Sequence, residues 1–258
     1  METQEGHKEA GGRPGIRETA RRLHVQAIVE AGARQLAASG ASGLSLRAIA
    51  RELGMASSAI YRYSAGADAL LTELIVRAYS DLGEAAENAA ASAEGTEGAE
   101  GAEGRFMAAC HACRTWALAQ PHRYALIYGS PVPSYAAPPM TVEPAARVGL
   151  LLLGLVAEGV RGAGSAADGG SPDSNPQGEP EGEPQSVPLM DPGMAQRAAE
   201  AGLPPELLPE AVDAWTHLFG MISFELFGHY QNVVADRRAY FDRMMRRRFR
   251  SLLAAGKY

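Results

Sequence analysis

The sequence predicts an all-α protein: a three-helix unit containing a helix-turn-helix, followed by a larger helical bundle. Two observations carry this. Apolar residues recur at helical spacing in segment after segment, and no stretch reads as a convincing strand. Near the start, two short helical segments are joined by the tight turn Gly54-Met55-Ala56. At 258 residues and 46% hydrophobic content, the chain can bury a substantial core.

The elements follow in order. Residues 1–15 are Gly-rich and polar and read as a disordered tail. From Thr19 to Ala38, Leu23, Ala27, Ala31, Ala33 and Leu36 fall at helical spacing, and Val25, Ile28 and Val29 widen the stripe. Gly40 and Gly43 close that helix. Ser45 caps a short helix, LRAIAREL, which stops at Gly54. Ser57 or Ser58 opens a second short helix, AIYRY. A long helix then spans Asp68 to Ala91 and buries Leu70, Leu71, Leu74, Ile75, Ala78 and Leu82.

Residues 93–104 repeat an EG pair every three residues and read as a solvated loop. Helical patterns resume at Arg105–Gln120 and His122–Tyr128. Prolines 131, 133, 138 and 139 impose an irregular connection. Pro144–Arg161 is apolar nearly all round and belongs in the middle of a bundle. Residues 162–193 are almost all Gly, Ser, Pro, Asp and Glu and read as a disordered insertion. Met194–Ala201, Pro205–Gln231 and Asp236–Ala254 complete the helical set.

Charge is segregated along the chain. The net charge is −6, which excludes a uniformly basic nucleic-acid coat protein. Residues 11–63 nevertheless carry eight Arg against three Glu, residues 64–236 carry seven Arg against 23 acids, and residues 237–258 carry seven Arg and one Lys against Asp242. A basic first segment on an acidic body suits a nucleic-acid reader with a separate, non-binding body. The late Arg run, RMMRRRFR, reads as a helix face set against that acidic body. Two cysteines exclude a disulfide scaffold and a four-cysteine zinc site. No stretch resembles a membrane span: the most apolar run, Val148–Ala157, ends at Glu158, against roughly 20 residues needed to cross a bilayer. The N-terminus lacks the apolar core of a signal peptide. These features point to the cytoplasm, with no membrane partner.

The two short helices define a reading surface. Leu46, Ile49, Ala50 and Leu53 point one way from the first, and Ile60 with Ala59 can lock onto that face. Ser57, Ser58, Tyr61, Arg62 and Tyr63 are left on and around the outer side of the second. A helix fits the major groove and presents its N-terminal end to base edges, where hydroxyls and an Arg are suitable.

The segment LSLRAIARELGMASSAIYRYSAGADALLTELI resembles the N-terminal domain of the TetR family of bacterial transcriptional regulators. The shared pattern is Ile49-Ala50, Leu53-Gly54, Ile60-Tyr61, Tyr63 and Leu70-Leu71, within a likeness that covers about residues 19–80. The resemblance implies a DNA-binding domain over residues 16–64 and a helical ligand-binding and dimerisation domain over 65–258. It implies that Ser45 caps its helix and touches phosphate, and that Arg47 reaches a base or phosphate. Ser57 and Ser58 would read sequence, and Tyr61 and Tyr63 would contact the backbone, with Arg62 beside them. Two departures stand out. Ser64 replaces the usual Phe, and Ala67 replaces the usual cation, which removes a phosphate contact and should shallow the salt slope by about 0.9.

HRYALIYGSPVPSYAAP and AWTHLFGMISFELFGHY resemble the WHG-type C-terminal subgroup of the family, with Trp215 and Gly220 in register and Phe219 at the His position. Candidate ligand contacts are Cys110, Arg114, Tyr128, His217, Met221 and Glu225. Of these, His217, Met221 and Glu225 stack on one helix beside Phe224 and Phe227 and could line a cavity. The blander alternative, which weighs more, is that they are satisfied core or dimer-seam residues. TetR-like pairing through the last two long helices implies a seam of Trp215, Phe219, Ile222, Leu226, Phe241 and Met245. The function implied is a homodimeric repressor, released from an inverted-repeat operator on double-stranded DNA by a small-molecule effector, with no cofactor and no metal. The alternatives are a helical thiol or metal protein centred on Cys110 and Cys113, and a DNA binder without a ligand. Against the first, buried cysteine with a structural role is the simpler reading.

Overall fold

The structure, a computed structural model, describes residues 16–93, 99–167 and 190–255. Among these residues there are nine α-helices and no strand: α1 Ile16–Ser39, α2 Leu46–Glu52, α3 Ala67–Ser92, α4 Ala99–Ala119, α5 Pro121–Tyr128, α6 Val142–Ala167, α7 Pro192–Glu200, α8 Leu208–Leu226 and α9 Arg237–Ala255. The chain divides into two compact units, residues 1–74 and 75–258.

In the first unit, α1 packs on α2 through Ile28, Val29, Ala31, Leu36, Leu46, Ile49 and Ala50, all buried. Leu23, expected in this stripe, is 66% exposed, because the helix extends at its N-terminal end past the elements that could cover it. Ser45 caps α2 as expected: its hydroxyl accepts from the Ala48 N–H at 3.4 Å, and its own N–H donates to Gln35 Oε1 at 2.9 Å. Gly54 ends α2 at φ +64°, and the Met55 N–H reaches back to the Ala50 carbonyl at 2.8 Å. That is a Schellman stop, which favours a residue without Cβ.

The second short helix is tighter than the sequence suggested. Turns at 57–59 lead into a single 3₁₀ turn, Ile60–Arg62. The N–H of Arg62 bonds Ala59 and that of Tyr63 bonds Ile60, both across three residues. Fully buried Ile60 fixes one end, and Ser64-Ala65-Gly66 leaves no room for a further turn.

The second unit is a bundle in which α4 runs along α6 and α9, while α8 packs on α6 and α9. The stripe of α3 is buried as expected at Ala78 and Leu82. The bundle core is built from Phe106, Tyr124, Leu152, Val156, Leu218, Ile222, Phe241, Met245 and Phe249. Gly159 permits the close approach of α6 and α9, since a Cβ there would lie 2.7 Å from the Phe249 ring.

Several boundaries differ from expectation. The predicted loop 93–104 is helical from Ala99: Ala102 is buried, and Glu103 accepts from Arg246 at 3.2 Å and Arg250 at 2.9 Å. Its Gly-Glu composition hid two anchoring residues. Likewise α6 continues through residues 162–167, and α7 begins at Pro192 under an Asp191 cap. The rest of the expected insertion, 168–189, and the expected tail, 1–15, lie outside the described residues. Helix α8 ends at Leu226 instead of Gln231, where the chain turns through Gly228 at φ +82°.

Pro139–Ala163 is long and apolar enough to cross a bilayer, contrary to the expectation that no segment is. Its apolar side is occupied by the bundle core: Val148, Leu152, Leu153, Leu155, Val156 and Ala157 are buried. The late Arg run does face acids. Arg246 pairs with Asp242 and Glu103, Arg250 with Glu103, and Arg248 with Asp213 and Glu210.

Candidate functional site

The first unit presents one polar surface. Arg47 on α2, Ser57 and Ser58 on the turn, and Tyr61 and Arg62 on the 3₁₀ segment are all exposed. Tyr61 leaves half of its surface to solvent, at 51%. Buried Ile49, Ala50 and Ile60 hold these two segments together from below, so the exposed side chains stand on a packed base. Tyr63 differs: half-buried, it stacks on His24 of α1 at 5.0 Å and 13°. Its ring ties the 3₁₀ segment to α1. Ser45 is half-buried, with its hydroxyl already used as a cap.

The second unit contains a cavity of about 880 Å³, within the usual size for small-molecule sites. Its wall is mainly apolar. Helix α3 gives Ile75 and Tyr79, α5 and the Pro-rich connection give Tyr128, Pro131 and Val132, and α6 gives Ala145, Ala146, Gly149 and Leu153. Met190, Met194, Val212 and Trp215 complete it. The Tyr79 hydroxyl donates to the Ile127 carbonyl at 3.2 Å. Burial pushes the phenols of Tyr79 and Tyr128 upward, so both stay neutral.

Of the six expected ligand contacts, only Tyr128 lies on this wall. Arg114 and Glu225 are committed to each other: Nε and an Nη of Arg114 donate to the two carboxylate oxygens at 2.7 and 2.5 Å, deep in the bundle. Met221 is a core residue, and Cys110 is wholly buried. His217 is half-buried off the wall, and desolvation lowers its imidazole pKa.

Most residues expected at the dimer seam pack within their own subunit. Ile222, Phe241 and Met245 are at most 1% exposed within their own subunit, and Phe219 is 6% exposed. They face inward because α8 and α9 pack on α4 and α6. Leu226 is a partly buried residue against the same core, and Trp215 belongs to the cavity. The same helices expose Phe224, while Phe227 and Val233 are exposed on the turn between them. The wall residues on α6 had a readable signal: small Ala145, Ala146 and Gly149 lie close along one side of an otherwise Leu- and Val-rich helix, leaving room there. Tyr79, alone on a polar-looking stretch of α3, had none.

Cys110 and Cys113 are both fully buried, and desolvation raises both thiols, Cys113 to about 12 from an ordinary 9.0. The adjacent His111 is engaged with Asp242 at 3.1 Å. Buried neutral thiols are poor nucleophiles and metal ligands, which weighs against the thiol-centred alternative. The Tyr124 phenol is also raised by burial, from 10.0 to about 12. Groups whose pKa rises on folding hold their protons more tightly in the folded state. Their contribution is intact below the unfolded values and is lost as pH climbs through the window between about 9 and 12. Circular dichroism should therefore show stability falling across that window, and a flat profile would contradict the burial of these groups.

Two short helical segments joined by a tight turn and packed on α1, followed by a helical body with a cavity, are the arrangement of a DNA-binding regulator. Comparison with known proteins places it further. A family model described as bacterial regulatory proteins, tetR family, matches residues 28–74, and one described as tetracyclin repressor-like, C-terminal domain, matches residues 106–247. The HTH-type transcriptional regulator Mb1846 of Mycobacterium bovis is 36% identical over 239 residues, which cover 91% of this chain and 94% of that protein. Rv1816 of Mycobacterium tuberculosis, also an HTH-type transcriptional regulator, gives the same values. A crystal structure assigned to a regulatory protein, SCO4313, has a TM-score of 0.64 at 29% identity and covers 93% of this chain and 100% of its own. A Rhodococcus sp. RHA1 protein of unknown function shares the fold, with a TM-score of 0.57 at 22% identity, covering 96% of this chain and 98% of its own. The chain belongs to the TetR family of transcriptional regulators.

Proposed function

We propose that this regulator is a homodimeric repressor, released from an inverted-repeat operator when a small, largely apolar effector fills the cavity. The observation that carries the reading is the contribution of α3 to the cavity wall. That helix begins at Ala67, in the same compact unit as the proposed reading segment, and supplies Ile75 and Tyr79 to the wall. An effector that favours one placement of this helix has differential affinity for two states, which is the requirement for coupling two sites. Residues 16–64 read DNA and residues 65–258 bind effector and pair. Two recognition segments related by dimer symmetry meet half-sites roughly 34–36 Å apart. The activity belongs to the cytoplasm and calls for no cofactor, metal or catalytic step.

Within the reading surface, Arg47, Ser57 and Ser58 carry specificity, while Tyr61, Arg62 and the Ser45 end of α2 hold the backbone. An operator can be recovered by sequencing the DNA that the full chain retains from random fragments. Arg47→Ala should then weaken operator binding by about 1–3 kcal/mol and random-DNA binding far less. Equal losses on both DNAs, read by fluorescence anisotropy, would mean that Arg47 contacts phosphate alone.

A further inference from the structure

The effector reading leaves open what chemistry the cavity selects. We propose that it takes an uncharged ligand carrying a hydrogen-bond acceptor on an apolar skeleton, such as a ketone, ester or lactone, and that the indole N–H of Trp215 is the donor that reads the acceptor. This rests on the assignment of the cavity as the effector site.

The first observation is the charge of the wall. Among the described residues lining it there is no Lys, Arg or His, and Asp191 is the sole ionisable acid or base apart from the phenols. Asp191 is already engaged: its Oδ1 accepts from the N–H groups of Gly193 at 2.9 Å and Met194 at 3.3 Å, capping α7. A ligand carboxylate or phosphate would lose its hydration here, meet no cation and approach a carboxylate. The Arg114 guanidinium of the same unit is held by Glu225 and lies off the wall. A neutral ligand has no such penalty.

The second observation is an unmatched donor. Trp215 Nε1 is buried and meets no acceptor on the protein. Buried donors in folded proteins are nearly always paired, because leaving one unpaired has a standing cost. Two other wall hydroxyls are satisfied internally: Tyr79 donates to the Ile127 carbonyl, and Thr141 donates to the Pro138 carbonyl at 2.8 Å. Opposite the indole is Gly149, where an added Cβ would find Nε1 as its nearest neighbour at 3.8 Å. The missing Cβ of Gly149 thus leaves a methyl-sized space in contact distance of the N–H, with both residues on the cavity. A ligand carbonyl placed there converts an unpaired donor into a hydrogen bond, a gain that a hydrocarbon of the same shape cannot make.

The test uses the full chain and four probes of similar shape: methyl decanoate, decane, decanoate and decylamine, with affinities read by calorimetry. Methyl decanoate should bind roughly tenfold more tightly than decane, and the two charged probes more weakly than either. Trp215→Phe keeps a smaller aromatic ring and removes the N–H, so in this variant the ester should bind no more tightly than decane. Gly149→Ala places a methyl beside the donor and should reduce the same preference, which keeps the test decisive should Trp215→Phe fold poorly. Decanoate or decylamine binding best, or an ester preference that survives Trp215→Phe, would overturn the ligand class while leaving the cavity a binding site. Failure of all four probes to bind the folded wild type would overturn the cavity assignment itself, and the ligand class with it.

Discussion

Replacing Arg114 with Met should destabilise the chain by about 3–5 kcal/mol, because it strands the carboxylate of Glu225 in the bundle. The side chains of the pair are only 14% and 7% exposed, and their two hydrogen bonds satisfy each other. The guanidinium also lies 5.7 Å from the centre of the Phe241 ring, so its removal loosens a core contact as well. The companion change Glu225→Met, made in the same chain, should restore most of the loss, since a buried ion pair and an apolar pair of similar volume are often close in stability. Urea unfolding of the two single variants and the double variant measures this directly. A single variant as stable as wild type, with altered effector binding, would return Arg114 and Glu225 to the ligand-contact role that their sequence positions suggested.

Phe219→Asp should cost at least about 4 kcal/mol and melt the second unit, because it buries a charge without a partner. The Phe219 ring stacks on Tyr128 at 4.0 Å and 19°, with Trp215 edge-on at 6.2 Å. An aspartate there has aromatic faces for neighbours and no cation. Thermal melts beside sedimentation separate this from the seam reading. A variant that melts like wild type but sediments as a monomer would put Phe219 at the dimer interface.

The elements that could be read from the sequence are those whose partners lie nearby in the chain. The Ser45 cap, the Gly54 stop and the stripe from Leu70 to Leu82 depend on local geometry, and the structure reproduces them. The exposure of Arg47, Ser57, Ser58, Tyr61 and Arg62 was legible for the same reason, because Ile49, Ala50 and Ile60 fix which side chains remain outside. The interior of the second unit was not. Helical periodicity says which face of α8 is apolar, but not whether that face meets its own bundle, a second copy or a cavity. Ile222 and Trp215 carry the same pattern and end in different places, one in the core and one on the cavity wall. Arg114 and Glu225 lie 111 residues apart, and nothing local marks them as partners. Glu103 was hidden by composition: an EG repeat reads as solvated unless the Arg residues that hold it, 143 and 147 positions later, are known to be near.

Control of DNA binding by the occupant of the cavity can be tested by titrating the operator-bound chain with Nile red, an uncharged apolar dye that carries a carbonyl. Dye occupancy is read from its emission and operator binding from anisotropy of labelled DNA in the same sample. Operator affinity should fall by about tenfold or more as the cavity fills, within the usual range of allosteric coupling, and the fall should track occupancy. Operator affinity that stays unchanged at full dye occupancy would contradict it and leave a DNA-binding protein whose cavity has no hold on its reading surface.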